Sequence, residues 1–148
     1  MFILKGCVGI KSEFYTLKGY QIKNSHNITE AMEDYIEMIY RKTLDNNFIS
    51  IKDLSFYLNV RPSSSSKMCN RLKELNLIEF EKYGLISLKD DGKYLGKYLL
   101  ERHEILTQFF KYINKEKYKL EQVEKIEHFI DYDTIINIKN FISNKNNF

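Results

Sequence analysis

The amino-acid sequence predicts a mainly α-helical chain carrying one small β-hairpin. Three observations lead there. The 148 residues include one proline, Pro62, and six glycines, so turns are scarce and long helices are expected. From Asn27 onward, apolar residues recur at three- and four-residue spacing along most of the chain. Beyond that point only 78–81 and 85–88 alternate apolar with polar residues, and Lys82-Tyr83-Gly84 lies between them as a turn.

Composition narrows the class further. With 43% hydrophobic and 29% charged residues, the chain can bury a core without disulfides or structural metal. Cys7 and Cys69 are far apart and match no zinc or disulfide spacing, which favours a reducing compartment. No apolar run reaches the roughly 18 residues of a membrane span. Met1–Ile10 has only Lys5 ahead of Cys7 and no small-residue cleavage site after it, unlike a signal peptide. A cytoplasmic protein with no membrane partner is expected. The net charge of +3 is compatible with nucleic acid but decides nothing.

The elements follow in order. Residues 1–28 hold three glycines and no sustained helical period, so they read as an arm; Phe14–Leu17 and Tyr20–Ile22 are candidate extended pieces within it. Asn27 or Thr29 caps a helix whose apolar positions are Ala31, Met32, Tyr35, Ile36, Ile39 and Tyr40, and Asp45-Asn46-Asn47 ends it. Ser50 with Asp53 resembles a capping box opening a short helix through Leu54 and Leu58. Asn59-Val60-Arg61 is a tight turn. Pro62 then takes the first position of a helix through Met68, Leu72 and Leu75, where its missing N–H costs nothing. The hairpin comes next. Helix, helix, turn, helix and hairpin within 29–89 is the order of a winged helix-turn-helix.

Asp90 or Asp91 begins a long helix with apolar residues from Tyr94 to Ile113, a stripe too wide for one small domain to cover. Two more helices, near Leu120–Phe129 and Asp133–Ile142, precede a polar tail. Residues 90–148 thus read as an all-helical domain suited to homodimer formation.

Six residues suggest metal. Asp34 and Glu37 are three apart on the first helix, and Glu124, Glu127 and His128 share one face of a late helix. His103 lies on the long helix between them. Each has a plainer reading, as a solvated acidic face or a core histidine. The combination on helices that must pack together is what raises a metal site.

At these residues the chain resembles the metal-dependent repressors of the diphtheria-toxin-repressor type, and within them the manganese transport regulators. Met32–Tyr40 is similar to that family's first-helix signature, and Pro62–Met68 to its recognition helix. Arg102–Leu106 and Val123–His128 are similar to its metal-binding helices. The resemblance spans about Thr29–Ile142.

What the resemblance implies is specific. Asp34, Glu37, His103, Glu124, Glu127 and His128 fall at the liganding positions of the manganese regulators, with Asp34 and Glu124 where the iron-sensing branch has methionine and cysteine. Four carboxylates and two imidazoles suit Mn²⁺, in a binuclear arrangement, while Fe²⁺, Co²⁺, Zn²⁺ and Cd²⁺ remain substitutes that geometry must exclude. Phe129 stands where a second histidine often follows His128. As in the manganese branch, no C-terminal barrel domain follows. The expected function is a Mn²⁺-activated repressor of metal-uptake genes, binding a palindromic operator in double-stranded DNA as a homodimer, with no small-molecule substrate. The alternative within the family is a regulator responding to iron or another divalent metal.

Arg61, Pro62, Ser63, Ser64, Ser66, Lys67 and Arg71 cluster on or near the N-terminal half of the candidate recognition helix, placed to enter a major groove. Lys82 at the wing tip would meet phosphate or the minor groove. An enzyme is disfavoured. Helical di-iron sites need Glu-x-x-His twice, yet Leu100 precedes His103 by three positions and Lys125 precedes His128 by three.

Overall fold

A computed structural model describes residues 28–81 and 84–145. The expected arm lies outside these residues except for Ile28, and Lys82 lies outside them as well.

Helix α1 spans Glu30–Thr43, capped by Thr29, whose hydroxyl accepts the Met32 N–H at 3.3 Å. Strand β1, Ile49–Ser50, leads into α2, Ile51–Leu58. Ser50 accepts the Asp53 N–H at 3.0 Å as its spacing predicted, while its hydroxyl donates to the Asp53 carboxylate at 2.7 Å. The turn between α2 and α3, Pro62–Glu74, is tight because Asn59 adopts the left-handed conformation (φ 54°, ψ 44°). The Val60 N–H then bonds back to the Ser55 carbonyl at 3.0 Å. Strands β2, Ile78–Phe80, and β3, Leu85–Leu88, form the wing.

One difference from expectation concerns that wing. It is a three-stranded antiparallel sheet in the order β1-β3-β2, with Ile49 opposite Ile86 and Phe80 opposite the same Ile86 on the other side. Gly84 enters β3 at φ +73°, a conformation that favours glycine, and its carbonyl accepts the Ile51 N–H at 2.8 Å.

Helix α4, Asp90–Asn114, is the spine of the molecule. Its first half packs antiparallel on α1: Gly96 meets Tyr40, and two turns later Arg102 meets Glu33. Leu99 there completes a core with Ile36, Ile39, Leu54, Leu72, Ile78 and Ile86. Its second half enters another core with Val123 of α5, Leu120–Ile126, and with Ile135 and Ile142 of α6, Tyr132–Lys145. A 3₁₀ turn, Glu127–Phe129, separates α5 from α6. The single helix expected over Leu120–Phe129 therefore tightens before its last three residues. Among the described residues, no helix is long and apolar enough to cross a membrane.

Candidate metal centre and nucleic-acid interface

The seam between the two cores is where the predicted donors gather. Asp34 comes from α1, His103 from the middle of α4, Glu124 from the end of α5, and Glu127 and His128 from the 3₁₀ turn. They form two three-donor groups, Asp34–Glu127–His128 and His103–Glu124–Glu127, with the donor atoms of each group within 4.8 Å of one another. Glu127 belongs to both and is almost wholly buried, at 1% exposure. Among the described donors, Glu127 is the carboxylate common to both groups.

Individual contacts give the geometry. His103 Nδ1 is 2.8 Å from Glu127 Oε2 and 3.6 Å from Glu124 Oε1. His128 Nε2 is 3.1 Å from Asp34 Oδ1. Its other ring nitrogen, Nδ1, is 2.7 Å from Glu33 Oε2. Glu37 is buried beside these groups, but its carboxylate is engaged by Arg41 one turn on, which donates from Nε at 2.9 Å. Five of the six predicted donors thus sit in the two groups, and Glu37 faces the ion pair instead.

Electrostatics reflect this crowding. Hydrogen bonds to Asp34 and Glu33 push the His128 pKa up to about 10. The Glu127 hydrogen bond raises that of His103. Burial, then the neighbouring Glu127 charge, raise Glu124. For Glu33, burial opposes ionisation, but hydrogen bonds from His128 and Arg102 outweigh it and hold the carboxyl below its usual range. Hard oxygens and imidazole nitrogens, without sulfur, are a donor set that fits a divalent first-row metal. The residues present fit the group.

Two polar residues in this seam escaped the sequence reading: Glu33, and Arg102, whose Nη2 donates to Glu33 at 2.8 Å. Their only sequence signal is adjacency to Asp34 and His103.

The candidate recognition helix α3 has one exposed polar side and one buried side. Arg61, Pro62, Ser63, Ser64, Lys67 and Arg71 are exposed and Ser66 is half-buried. Ser65 points inward, with its Oγ 2.8 Å from the Ser55 hydroxyl and 3.3 Å from the Tyr35 hydroxyl. The first turn of α3 has no side-chain cap and no acidic residue to oppose the positive end of its dipole; Pro62 has no N–H, and the Ser64 N–H bonds to the Arg61 carbonyl at 2.9 Å. Cys69 lies on the opposite side, fully buried in the first core, as a small packing residue.

Comparison with known proteins decides the family. Residues 27–86 match the family model described as "Iron dependent repressor, N-terminal DNA binding domain". The HTH-type transcriptional regulator MntR of Bacillus subtilis (strain 168) is 36% identical over 115 residues, covering 77% of this chain and 81% of that protein. MntR of Bacillus pumilus (strain SAFR-032) is also 36% identical, over 80% of its length. The chain belongs to the MntR family. It is a DNA-binding, metal-dependent transcriptional regulator, and its family is one of regulators, not enzymes.

Solved structures agree on the fold. The manganese regulator SloR superposes with a TM-score of 0.66 at 23% identity over 78% of this chain. IdeR of T. acidophilum gives 0.64 at 23% identity over 80%. Both are longer, and this chain spans 55% and 56% of them. The mainly α fold with an N-terminal winged helix is the fold of these regulators.

Proposed function

We propose that this MntR-family regulator is a Mn²⁺-responsive repressor of metal-uptake genes, acting in the cytoplasm. Its ligands are Asp34, His103, Glu124, Glu127 and His128, with Glu37 joining them on release from Arg41. The observation that carries this reading is the pair of donor groups sharing buried Glu127 across α1, α4 and the 3₁₀ turn. Support for Mn²⁺ over thiophilic ions comes from the all-oxygen-and-nitrogen donors. Fe²⁺, Co²⁺, Zn²⁺ and Cd²⁺ are the competitors that the binding test must separate.

Residues 29–89 form the DNA-binding unit in this reading, and 90–148 the metal-binding and dimerisation unit. A bound divalent cation supplies positive charge that offsets the converging carboxylates. Asp34, fixed on α1, and His128, fixed on the 3₁₀ turn, then hold the winged helix against the second core. Ser63, Ser64, Lys67 and Arg71 follow as a rigid group, because Tyr35 and Ser65 tie α3 to α1. Lys67, Arg61 and Arg71 meet phosphate, and Ser63, Ser64 and Ser66 reach phosphate or base edges. Pro62 starts the helix at the groove, and Lys82 extends the contact from the wing.

A homodimer places two such helices on a palindromic operator. Its support is the apolar surface left on the second half of the chain: Tyr94 is 80% exposed, and Tyr112, Ile113 and Phe141 are about half exposed. Light scattering at micromolar concentration gives a dimer with and without metal; a monomer overturns this part.

The central test compares Mn²⁺, Fe²⁺ and Zn²⁺ by calorimetry and by binding to DNA from upstream of the protein's own gene. Asp34→Ala and Glu124→Ala, one on each side of the seam, each weaken Mn²⁺ binding and remove most of the metal dependence of DNA binding while leaving the dimer intact. If both variants still need Mn²⁺ to bind operator, the seam is not the switch. If Fe²⁺ alone supports binding, the regulator senses iron.

A further inference from the structure

Glu33 is the one carboxylate in the seam that faces a ligand histidine from behind. It sits on α1 next to Asp34, yet the two acids approach opposite edges of the same ring. Asp34 Oδ1 is 3.1 Å from His128 Nε2, and Glu33 Oε2 is 2.7 Å from Nδ1. An ionised carboxylate can only accept, so Nδ1 carries the proton in this contact. Nε2 is thereby the nitrogen presented to Asp34.

Glu33 is held in turn. Arg102 is 2% exposed and donates from Nη2 to the same Oε2 at 2.8 Å. Its Nε has no partner among the described residues, so the Glu33 contact is what offsets burial of the guanidinium. Tyr98, one turn earlier on α4, places its ring 5.9 Å from the guanidinium carbon. Arg102 Nη2 also lies 3.3 Å from His128 Nδ1, a longer contact than that to Glu33. The three side chains belong to α1, α4 and the 3₁₀ turn, the same elements that bring the donors together.

We propose that Glu33 and Arg102 are positioning residues of the metal centre: Glu33 fixes His128 with Nδ1 protonated and Nε2 facing the donor group, and Arg102 fixes Glu33. This rests on the reading of the seam as a metal site. Carboxylates behind ligand histidines orient the ring and raise its basicity, and losing one commonly costs about 10–100-fold in metal affinity. Neither residue donates to the metal itself.

The test has two readouts on the full-length chain. In Zn²⁺-loaded protein, nitrogen-15 NMR of the His128 ring reports Nδ1 protonated and Nε2 metal-bound. The Nδ1 proton is protected from water exchange in the parent and in Glu33→Gln, whose amide oxygen still accepts, and exchanges rapidly in Glu33→Ala. Calorimetry gives Mn²⁺ affinity about 10–100-fold weaker for Glu33→Ala, with Glu33→Gln between it and the parent. A purely structural role would lower thermal stability and leave the ring nitrogens unchanged. Nδ1 bound to metal in the parent overturns the proposal whether or not the variants fold. So does Glu33→Ala binding Mn²⁺ within twofold of the parent while Asp34→Ala has lost it. Failure of the parent and Asp34→Ala to differ overturns the metal-site reading instead.

Discussion

Gly96→Ala is the sharpest perturbation the fold offers, because one methyl group tests both the packing and the site. Gly96 is buried where α4 crosses α1, and a Cβ there would lie 2.6 Å from Tyr40 Cβ and 2.8 Å from its Cγ. Carbon atoms in contact prefer about 3.5–4.0 Å, so the helices lack roughly 1 Å of room. The nearest obstructing atom is Tyr40 Cβ, which no side-chain rotation can move. On either side, Ile36, Ile39 and Leu99 are fully buried and leave α1 no free direction to retreat.

Two opposing effects set the size of the change. Overpacking of this kind costs about 1–3 kcal/mol. Alanine in place of glycine returns about 1 kcal/mol of helix propensity. The net is a destabilisation of about 1 kcal/mol, or a Tm fall of about 2–4 °C for a chain of this size. The second consequence is larger. His103 lies two turns from Gly96 on the same face, about 10 Å along the helix, and Asp34 lies nearly two turns from Tyr40 on α1. Separating the helices therefore widens the span between donors of the two groups, whereas metal coordination tolerates about 0.2 Å. Thermal denaturation in chelator and Mn²⁺ calorimetry measure the two effects. A variant with a higher Tm and unchanged Mn²⁺ affinity would refute the argument, since propensity would then outweigh a contact that is not limiting.

Other consequences are more direct. His128 titrates near 10 when folded and near 6.5 as an ordinary histidine, so its contribution to the metal-free protein is complete below about pH 6.5 and is lost as pH rises through about 10; Tm in chelator falls between pH 7 and pH 10. His103 and His128 both bind protons more tightly than usual, and metal requires neutral imidazole, so Mn²⁺ binding releases protons and tightens from pH 6 to pH 8, as calorimetry in buffers of different ionisation enthalpy measures. Burial pushes the Cys69 thiol up to about 12, so in a Cys7→Ser background no thiol reacts with a disulfide reagent until the protein is unfolded. Lys67→Ala weakens DNA binding at all sequences alike and reduces the slope of log affinity against log salt by about 1. Tyr35→Phe removes a buried but long hydrogen bond to Ser65, at about 0.5–1.5 kcal/mol, and lowers metal-dependent DNA affinity with Mn²⁺ affinity retained; equal losses in both would place Tyr35 in the metal site itself.

The local elements were legible because their signals are local. Pro62 at a helix start, the Ser50 cap and the apolar spacing of α1 each act within a turn or two, and each stands where the sequence placed it. The second wing partner was not legible. Strand β1 is two residues long, too short for alternation to register, and it forms because β3 has an edge to offer Ile49 and Ser50. The donor set was legible as residue types on helical faces, but its grouping was not. Glu37 and Arg41 satisfy the ordinary i,i+4 rule for helix ion pairs, a signal that competes with the metal reading of Glu37. Glu33 and Arg102 are 69 positions apart, and no periodicity connects them.

The proposed metal seam and the proposed DNA surface are joined by side chains of a single helix turn. Glu33 and Asp34 face the seam, and the next residue, Tyr35, is buried with its hydroxyl against Ser65 of the recognition helix. Ser65 in turn meets Ser55, whose hydroxyl is 2.6 Å from the Ile51 carbonyl oxygen, and Ile51 N–H bonds to Gly84 at the root of the wing. Any rotation of α1 that improves the reach of Asp34 toward His128 must also carry Tyr35, because consecutive helical residues are set about 100° apart on one rigid backbone. The recognition helix and the wing follow through that chain of contacts. On the proposed reading, coupling between metal and DNA needs no distant relay: the first turns of α1 hold one end of it at the seam and the other end at Ser65.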